Sequence, residues 1–259
     1  MRYILILMVL FVWTVSAEAK VRTETVEYRH GDKAFEGFLA YDDAKKGPIP
    51  GVVVVHEWWG INDYIRGRAV KLAELGYVAF AIDMYGKGIR PTNSKDAQAQ
   101  SSALGKNRQL LRERAKAGLE ILRNNKLADK SRIAAIGYCF GGMTVLELAR
   151  GGADISGIVS FHGTLDTPDI SDAKNIKGKV LVLTGADDPV VPPDKVLEFE
   201  NEMKKAGVDW QVDIYGGAMH SFTNPQSNNP ENGVLYNERA ARRSWEAMKL
   251  FLNEVFGKG

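Results

Sequence analysis

Five short, nearly continuous apolar segments constrain the fold of this chain more than any other feature of its sequence. They occupy residues 51–55, 78–82, 132–136, 157–161 and 180–184, and the first of them reads GVVVV. Strands that helices cover on both faces have this pattern, because both sets of alternating side chains are then buried. Stretches of helix length with spaced apolar residues separate the segments. This alternation predicts a doubly wound, mostly parallel α/β sheet.

The other elements extend this sheet without adding a second domain. Residues 21–29 and 34–41 alternate around a polar break, which predicts an antiparallel hairpin at the edge of the sheet. A last strand is expected at residues 210–215. The predicted helices cover residues 64–75, 97–123, 143–149, 194–206 and 237–256, and the predicted loops cover residues 86–95 and 222–235. Because no linker interrupts the 259 residues, we expect one domain over residues 20–259.

Residues 1–19 are predicted to be a secretory signal peptide rather than part of the fold. Arg2 precedes an unbroken apolar run, which small residues follow. Cleavage after Ala17 and cleavage after Ala19 fit equally well. A membrane anchor is the alternative, but the apolar run is shorter than the roughly 20 residues that a spanning helix needs. We therefore expect an exported protein, periplasmic or secreted, without stable membrane association after cleavage.

The charges of the chain are almost balanced, with 34 Lys and Arg against 32 Asp and Glu and a net charge of +2. Both signs are mixed along the chain, which leaves no basic field for nucleic acid or an anionic membrane. Its four histidines are scattered without the spacing of metal ligands, so we expect no metal and no other cofactor. A small molecule is the expected partner, and a monomer is the expected state.

Cys139 is the single cysteine, so it cannot form an intrachain disulfide. The third apolar segment runs directly into GYCFGG, and a helix pattern begins at Met143. Strand, Gly-x-nucleophile-x-Gly and helix together indicate a nucleophile elbow, in which Gly137 and Gly141 let strand and helix approach closely. The positive end of that helix favours a thiolate. The alternative interpretation is a small buried hydrophobic side chain in an ordinary turn.

A cysteine nucleophile needs a base and a group that orients the base. Asp187 and Asp188 follow the fifth apolar segment, and His220 follows the last predicted strand. Because each lies just beyond a strand end, we expect Cys139, Asp188 and His220 to converge at one edge of the sheet. The spacing in GADDPVVP favours Asp188 and leaves Asp187 as a turn or capping residue. His162 also follows a strand, and it either lines the site or hydrogen-bonds a loop.

The chain resembles the dienelactone hydrolase family, cysteine-dependent members of the α/β hydrolase fold, over nearly its whole mature length. The motifs that carry the resemblance are HEWWGIN (56–62), DMYGKG (83–88), GYCFGG (137–142), GADDPVVP (185–192) and MHSF (219–222). The resemblance implies a single α/β hydrolase domain and a catalytic triad of Cys139, Asp188 and His220. It also implies the family's activity, which is hydrolysis of an ester or lactone through a thioester.

The resemblance assigns roles to three further residues. It implies that Glu57 interacts with Cys139 before substrate binds, which protects a thiol that would otherwise be oxidised outside the cytoplasm. The backbone N–H groups of Phe140 and Trp58 are expected to form the oxyanion hole, since they follow the nucleophile and an early strand.

The positions that bind substrate in the family differ in this chain. Characterised members hold a substrate carboxylate with two arginines, whereas this chain has Lys87 and Asn224 there and loses bidentate recognition. Arg90 is a nearby substitute. Four aromatic side chains are expected to line an apolar pocket: Trp58, Trp59, Tyr85 and Phe222. The pattern therefore argues against dienelactone itself as the substrate.

Two other functions compete with hydrolysis. Cys139 could act as a thiol redox sensor, although the chain has no second cysteine to resolve it. Alternatively, the chain could be a non-catalytic relative that binds a ligand, although all three triad positions are filled.

Overall fold

An eight-stranded sheet forms the centre of the protein, for which a computed structural model describes residues 20–257. The strands are β1 (Val21–His30), β2 (Lys33–Asp42), β3 (Ile49–Val55), β4 (Val78–Ile82), β5 (Ala128–Tyr138), β6 (Gly157–Phe161), β7 (Lys179–Gly185) and β8 (Trp210–Tyr215). Their spatial order is β1-β2-β4-β3-β5-β6-β7-β8. Strands β3 to β8 pair in parallel, and β1 and β2 form an antiparallel hairpin at one edge. The predicted fold class is confirmed.

Within the described residues, six α-helices cover the two faces of this sheet. They are α1 (Asp63–Glu74), α2 (Ser94–Lys106), α3 (Arg108–Arg123), α4 (Phe140–Arg150), α5 (Pro193–Ala206) and α6 (Glu238–Val255). The single helix predicted over residues 97–123 is wrong, because the chain breaks into α2 and α3 at Asn107. The backbone of Asn107 is not helical, and its side chain accepts the Leu110 N–H and caps α3. Helix α4 begins three residues earlier than predicted, within the glycine motif itself.

The segment GVVVV shows why the buried strands read as continuous apolar runs. All four of its valines have no exposed surface. Val53 and Val55 belong to the core cluster that includes side chains of α3, α4 and α5, whereas Val52 and Val54 belong to the cluster under α1 and α6. Each fully buried valine contributes roughly 1.5 kcal/mol or more to the hydrophobic stabilisation. Successive side chains are thus both buried, on opposite faces.

The loops at the carboxyl ends of β3, β5, β7 and β8 lie at one edge of the sheet. The predicted loop at residues 222–235 contains a small two-stranded sheet, β9 (Asn228–Asn229) and β10 (Val234–Leu235), with a short 3-10 helix between them at Pro230–Asn232. Within residues 20–257, no helix is long and apolar enough to cross a bilayer. The signal peptide predicted at residues 1–19 lies outside the described residues.

Candidate active site

The nucleophile elbow lies where β5 ends and α4 begins. Cys139 occupies the turn with φ 54° and ψ −115°, a strained backbone that a non-glycine residue keeps only when its surroundings enforce it. A Cβ added to Gly137 would lie 2.0 Å from the Gly141 carbonyl oxygen, and one added to Gly141 would lie 2.2 Å from the Val55 carbonyl oxygen. The close approach of α4 to β5 and β3 therefore requires glycine at both positions.

Three side chains that the sequence predicts to act together meet at this elbow. His220 Nε2 lies 3.1 Å from Cys139 Sγ, and His220 Nδ1 lies 2.9 Å from Asp188 Oδ2. The Val190 N–H donates to the other oxygen of Asp188 at 2.8 Å and fixes the carboxylate. Asp187, the alternative acid, is exposed at the turn. In this arrangement a proton can move between sulfur and imidazole while the carboxylate orients the ring.

The charges around His220 favour its protonated form. Burial by itself disfavours a charged imidazole, but the negative charges of Cys139 and Asp188 outweigh burial and raise the pKa of His220 well above its usual value. His220 is only 7% exposed, so water screens these interactions little. The ring is therefore able to hold a proton for transfer to a leaving group.

His162 lies behind the nucleophile and is neutral. The Cys139 N–H is shared between the Phe161 carbonyl oxygen at 3.0 Å and His162 Nδ1 at 3.2 Å. Because Nδ1 accepts, the ring proton lies on Nε2, which donates to Thr223 Oγ1 at 2.7 Å. Burial, together with the charges of His220 and Arg68, lowers the pKa of His162 well below its usual value. The sequence left its role open, and the structure places it against the backbone of Cys139 rather than in the cavity.

A buried arginine supports the loop that follows His220. Arg68 donates to the Thr223 carbonyl oxygen at 2.8 Å and to the Tyr64 hydroxyl at 3.2 Å, and that hydroxyl lies 2.7 Å from Thr223 Oγ1. Its guanidinium also lies over the rings of Tyr64, Tyr138 and Trp245. This group was not predicted from the sequence. The signal that could have indicated it is the position of Arg68 among the buried residues of α1, because a buried arginine needs hydrogen-bonding or charged partners.

Glu57 is buried beside the site and contacts the loop after His220. The Ser221 hydroxyl donates to its Oε1 at 2.5 Å, and the Asn224 amide donates to its Oε2 at 2.7 Å. Burial raises the pKa of Glu57, against the lowering effect of these two donors and of His220. Asn224, which is expected to bind substrate, thus lines the cavity, but its amide donates a hydrogen bond to Glu57.

His56 positions Glu57 through its backbone carbonyl, a role that was not predicted from the sequence. The Met84 N–H donates to His56 Nε2 at 3.2 Å, so the proton lies on Nδ1 and is donated to the Glu57 carbonyl oxygen at 2.5 Å. Burial lowers the pKa of His56 to about 4. This neutral ring joins the loop after β3 to the loop after β4.

A cavity of about 1140 Å³ opens over Cys139. Of the predicted substrate-binding residues, Trp59, Arg90 and Asn224 line it, together with Trp58. Within residues 20–257, no group of three or more His, Cys, Asp or Glu side chains is placed to hold a metal ion.

Three predicted substrate-binding side chains lie elsewhere. Lys87 is paired with Glu27 of β1 at 2.5 Å, and both side chains are about half exposed. Tyr85 and Phe222 have no exposed surface, and the Tyr85 hydroxyl donates to the Trp58 carbonyl oxygen at 2.9 Å. The expectation that these three line the pocket is therefore corrected, since Lys87 turns to the hairpin and both rings pack in the core.

The two backbone groups expected to bind an oxyanion come from the start of α4 and from the loop after β3. Phe140 is the first residue of α4, where N–H groups lack partners within the helix and the dipole is positive. Trp58 lies in the loop after β3, which ends at Val55. The peptide that carries the Trp58 N–H is held through the Glu57 carbonyl oxygen, which accepts from His56 Nδ1 at 2.5 Å.

A mostly parallel sheet with a nucleophile elbow after a central strand defines an α/β hydrolase. Within that class, the chain belongs to the dienelactone hydrolase family, whose model matches residues 35–256. It is accordingly a hydrolase that acts on esters or lactones.

Individual relatives agree with this assignment. A solved structure described as a dienelactone hydrolase-like promiscuous phosphotriesterase from metagenomic libraries is 40% identical, with a TM-score of 0.88 over 92% of this chain and 100% of that one. A second structure, named m3DLH, is 40% identical with a TM-score of 0.88, over 91% of this chain and 99% of that one. Protein usf of Aquifex pyrophilus is 28% identical over 236 residues, which are 89% of this chain and 98% of that protein.

Proposed function

We propose that the protein hydrolyses a carboxylic ester or lactone through a thioester on Cys139. The observation that carries the proposal is the 3.1 Å contact between Cys139 Sγ and His220 Nε2 beneath the cavity. Asp188 orients the imidazole through its other nitrogen. These are the nucleophile, base and orienting group that acyl transfer needs.

In the first half of the reaction, the sulfur of Cys139 attacks the carbonyl carbon of the substrate. The carbonyl oxygen takes up the negative charge beside the N–H groups of Phe140 and Trp58, where losing one donor typically costs about 3 kcal/mol. The carbon–oxygen bond to the alcohol then breaks, and the proton of His220 passes to the departing alkoxide. An acyl group remains on the sulfur, and a lactone keeps its alcohol end attached to that group.

In the second half, neutral His220 removes a proton from water as the water oxygen attacks the thioester carbon. The carbon–sulfur bond breaks, the sulfur leaves as a thiolate, and the substrate is released as a carboxylic acid. Asp188 stabilises the imidazolium that forms in this step.

Glu57 is proposed to modulate the thiol through charge. In contrast to the protected thiol that the resemblance implies, an ionised Glu57 stabilises a protonated His220 nearby, and the protonated ring in turn stabilises a thiolate on Cys139. Its hydrogen bonds to Ser221 and Asn224 hold this charge in place.

Residues 1–19 are proposed to export the protein, with periplasmic or secreted mature chains beginning at residue 18 or 20. Fractionation of the native host followed by N-terminal sequencing tests this proposal. A protein that keeps Met1 and fractionates with cytoplasmic markers would contradict it.

Replacement of the nucleophile tests the proposed reaction. We expect Cys139→Ala to abolish hydrolysis of 4-nitrophenyl acetate by the purified mature protein, and Cys139→Ser to keep a trace. Acid quenching followed by mass spectrometry should trap an acetyl group on Cys139. Undiminished turnover by Cys139→Ala would refute the proposal, and a sulfenylated Cys139 without a thioester would favour the redox alternative.

A further inference from the structure

We infer that the cavity over Cys139 selects uncharged substrates that carry hydrogen-bonding groups, an inference that rests on the proposed hydrolysis. Among the described residues that line the cavity, Arg90 is the single lysine or arginine. A substrate carboxylate would need that guanidinium, because burying an unpaired carboxylate is costly and the protonated His220 is already paired with Asp188 and Cys139. Whether Arg90 is free therefore decides the charge of the substrate.

Both terminal nitrogens of Arg90 already contact oxygen atoms of the protein. Nη1 donates to the Ile89 carbonyl oxygen at 2.8 Å and lies 3.6 Å from Asp83 Oδ2. Nη2 donates to the Glu36 carbonyl oxygen at 3.3 Å and lies 3.7 Å from Glu36 Oε1. Two carboxylates thus face this guanidinium and weaken its attraction for a substrate carboxylate.

The side chains of the cavity wall next to His220 also disfavour binding of an anion. The amide of Asn224 donates to Glu57 at 2.7 Å, and its carbonyl oxygen accepts the Gln226 N–H at 3.0 Å. Asn224 therefore offers no cationic group to a carboxylate, and one N–H of its amide is already bonded to Glu57. Glu57 places its own carboxyl group at the same wall, and a second carboxylate near it would be repelled.

The rest of the wall offers neutral polar groups and indole rings. Gln98 of α2 and Gln226 after β8 are exposed and line the cavity. Trp58 and Trp59 form an edge-to-face pair with centroids 5.0 Å apart. Carboxamides donate to and accept from hydroxyl and amide groups, while indole rings cover C–H surface. The cavity therefore fits an acyl chain or lactone ring that bears hydroxyl or amide groups and no charge.

Three 4-nitrophenyl esters of matched length test this inference. They end in a carboxylate (mono-4-nitrophenyl adipate), a primary amide (the corresponding adipamate) and an isopropyl group (4-nitrophenyl 6-methylheptanoate). We expect kcat/KM for the amide to exceed that for the carboxylate by about tenfold, the effect of roughly 1.4 kcal/mol. Glu36→Gln removes one partner of Arg90, and it should raise kcat/KM for the carboxylate alone.

The two glutamines are tested with the neutral pair of esters. Gln98→Leu and Gln226→Leu should each reduce the preference for the amide over the isopropyl ester, whereas Gln211→Leu on exposed β8 should not. A carboxylate ester hydrolysed as well as the amide, or unchanged preferences in both variants, would overturn the inference while leaving the proposed function intact. Failure of all three esters to be hydrolysed would refute the proposed function and the inference together.

Discussion

Replacing His162 should slow the chemical step without weakening substrate binding. His162 accepts the backbone N–H of the nucleophile and donates to Thr223, and it does not line the cavity. His162→Phe keeps a ring but loses both hydrogen bonds. Since a typical net hydrogen bond contributes about 1 kcal/mol, we expect a loss of about 2 kcal/mol in stability. For a chain of this size that corresponds to a fall in Tm of roughly 4–8 °C.

The effect on catalysis follows from the strained backbone of Cys139, which one of these hydrogen bonds holds at φ 54°. Displacement of a reacting atom by about 1 Å can cost roughly 100-fold in rate. We therefore expect His162→Phe to lower kcat for 4-nitrophenyl acetate by roughly 10- to 100-fold, with KM almost unchanged.

His162→Asn supplies the matched control. The backbone at position 162 has φ 40°, which asparagine tolerates better than other non-glycine residues. Its side-chain oxygen can accept the Cys139 N–H, although it cannot reach Thr223. We expect His162→Asn to recover most of kcat while remaining less stable than the parent. An equal loss of kcat in both variants, or no loss in His162→Phe, would refute this reasoning.

Three further predictions concern other parts of the site. Gly141→Ala should destabilise the fold by about 3 kcal/mol or more, because its Cβ would lie 2.2 Å from a backbone oxygen. Gly105→Ala is the control and should not destabilise the fold, since a Cβ there would have nothing within 4 Å. Thermal unfolding of the two variants measures the difference. Asp188→Asn should lower kcat by up to about 10⁴-fold, whereas exposed Asp187→Asn should leave steady-state kinetics unchanged. Because the pKa of His56 is lowered to about 4, its contribution to stability is complete above pH about 6.5 and decreases by on the order of 3 kcal/mol as the pH falls to 4. Urea unfolding should therefore show a shallower pH dependence in His56→Gln, and equal slopes would contradict the assignment.

The elements that the sequence predicts well are those with local signals. The run GVVVV is apolar at every position because β3 is covered on both faces, so its pattern alone identifies a central strand. Cys139 and Asp188 each follow such a strand, His220 follows the partly buried edge strand β8, and parallel strands bring their carboxyl ends to one edge. Their convergence was therefore predictable from chain order and spacing.

The mistaken expectations depend on contacts between distant segments. Lys87 turns to Glu27 because the β1–β2 hairpin lies beside the loop after β4, a position that no local pattern encodes. Arg90 is likewise engaged by Glu36 of β2 and by Asp83. The break at Asn107 was missed for another reason, since the apolar spacing continues through it and only the cap marks the boundary.

Three buried histidines near the site show why residue type alone could not define its chemistry. His56 and His162 each accept a backbone N–H, from Met84 and Cys139 respectively, so each ring must keep one nitrogen unprotonated. His220 instead faces a sulfur and a carboxylate, which stabilise a proton on both nitrogens. Because the ring centroids of His162 and His220 are only 5.4 Å apart, a second charged imidazole would repel the first and weaken its hold on the proton. The neutrality of His162 is thus a condition for the high pKa of His220. A variant that placed a cation at position 162 would lower the pKa of His220, so it should lose activity first at the alkaline end of its pH range, where His220 gives up its proton.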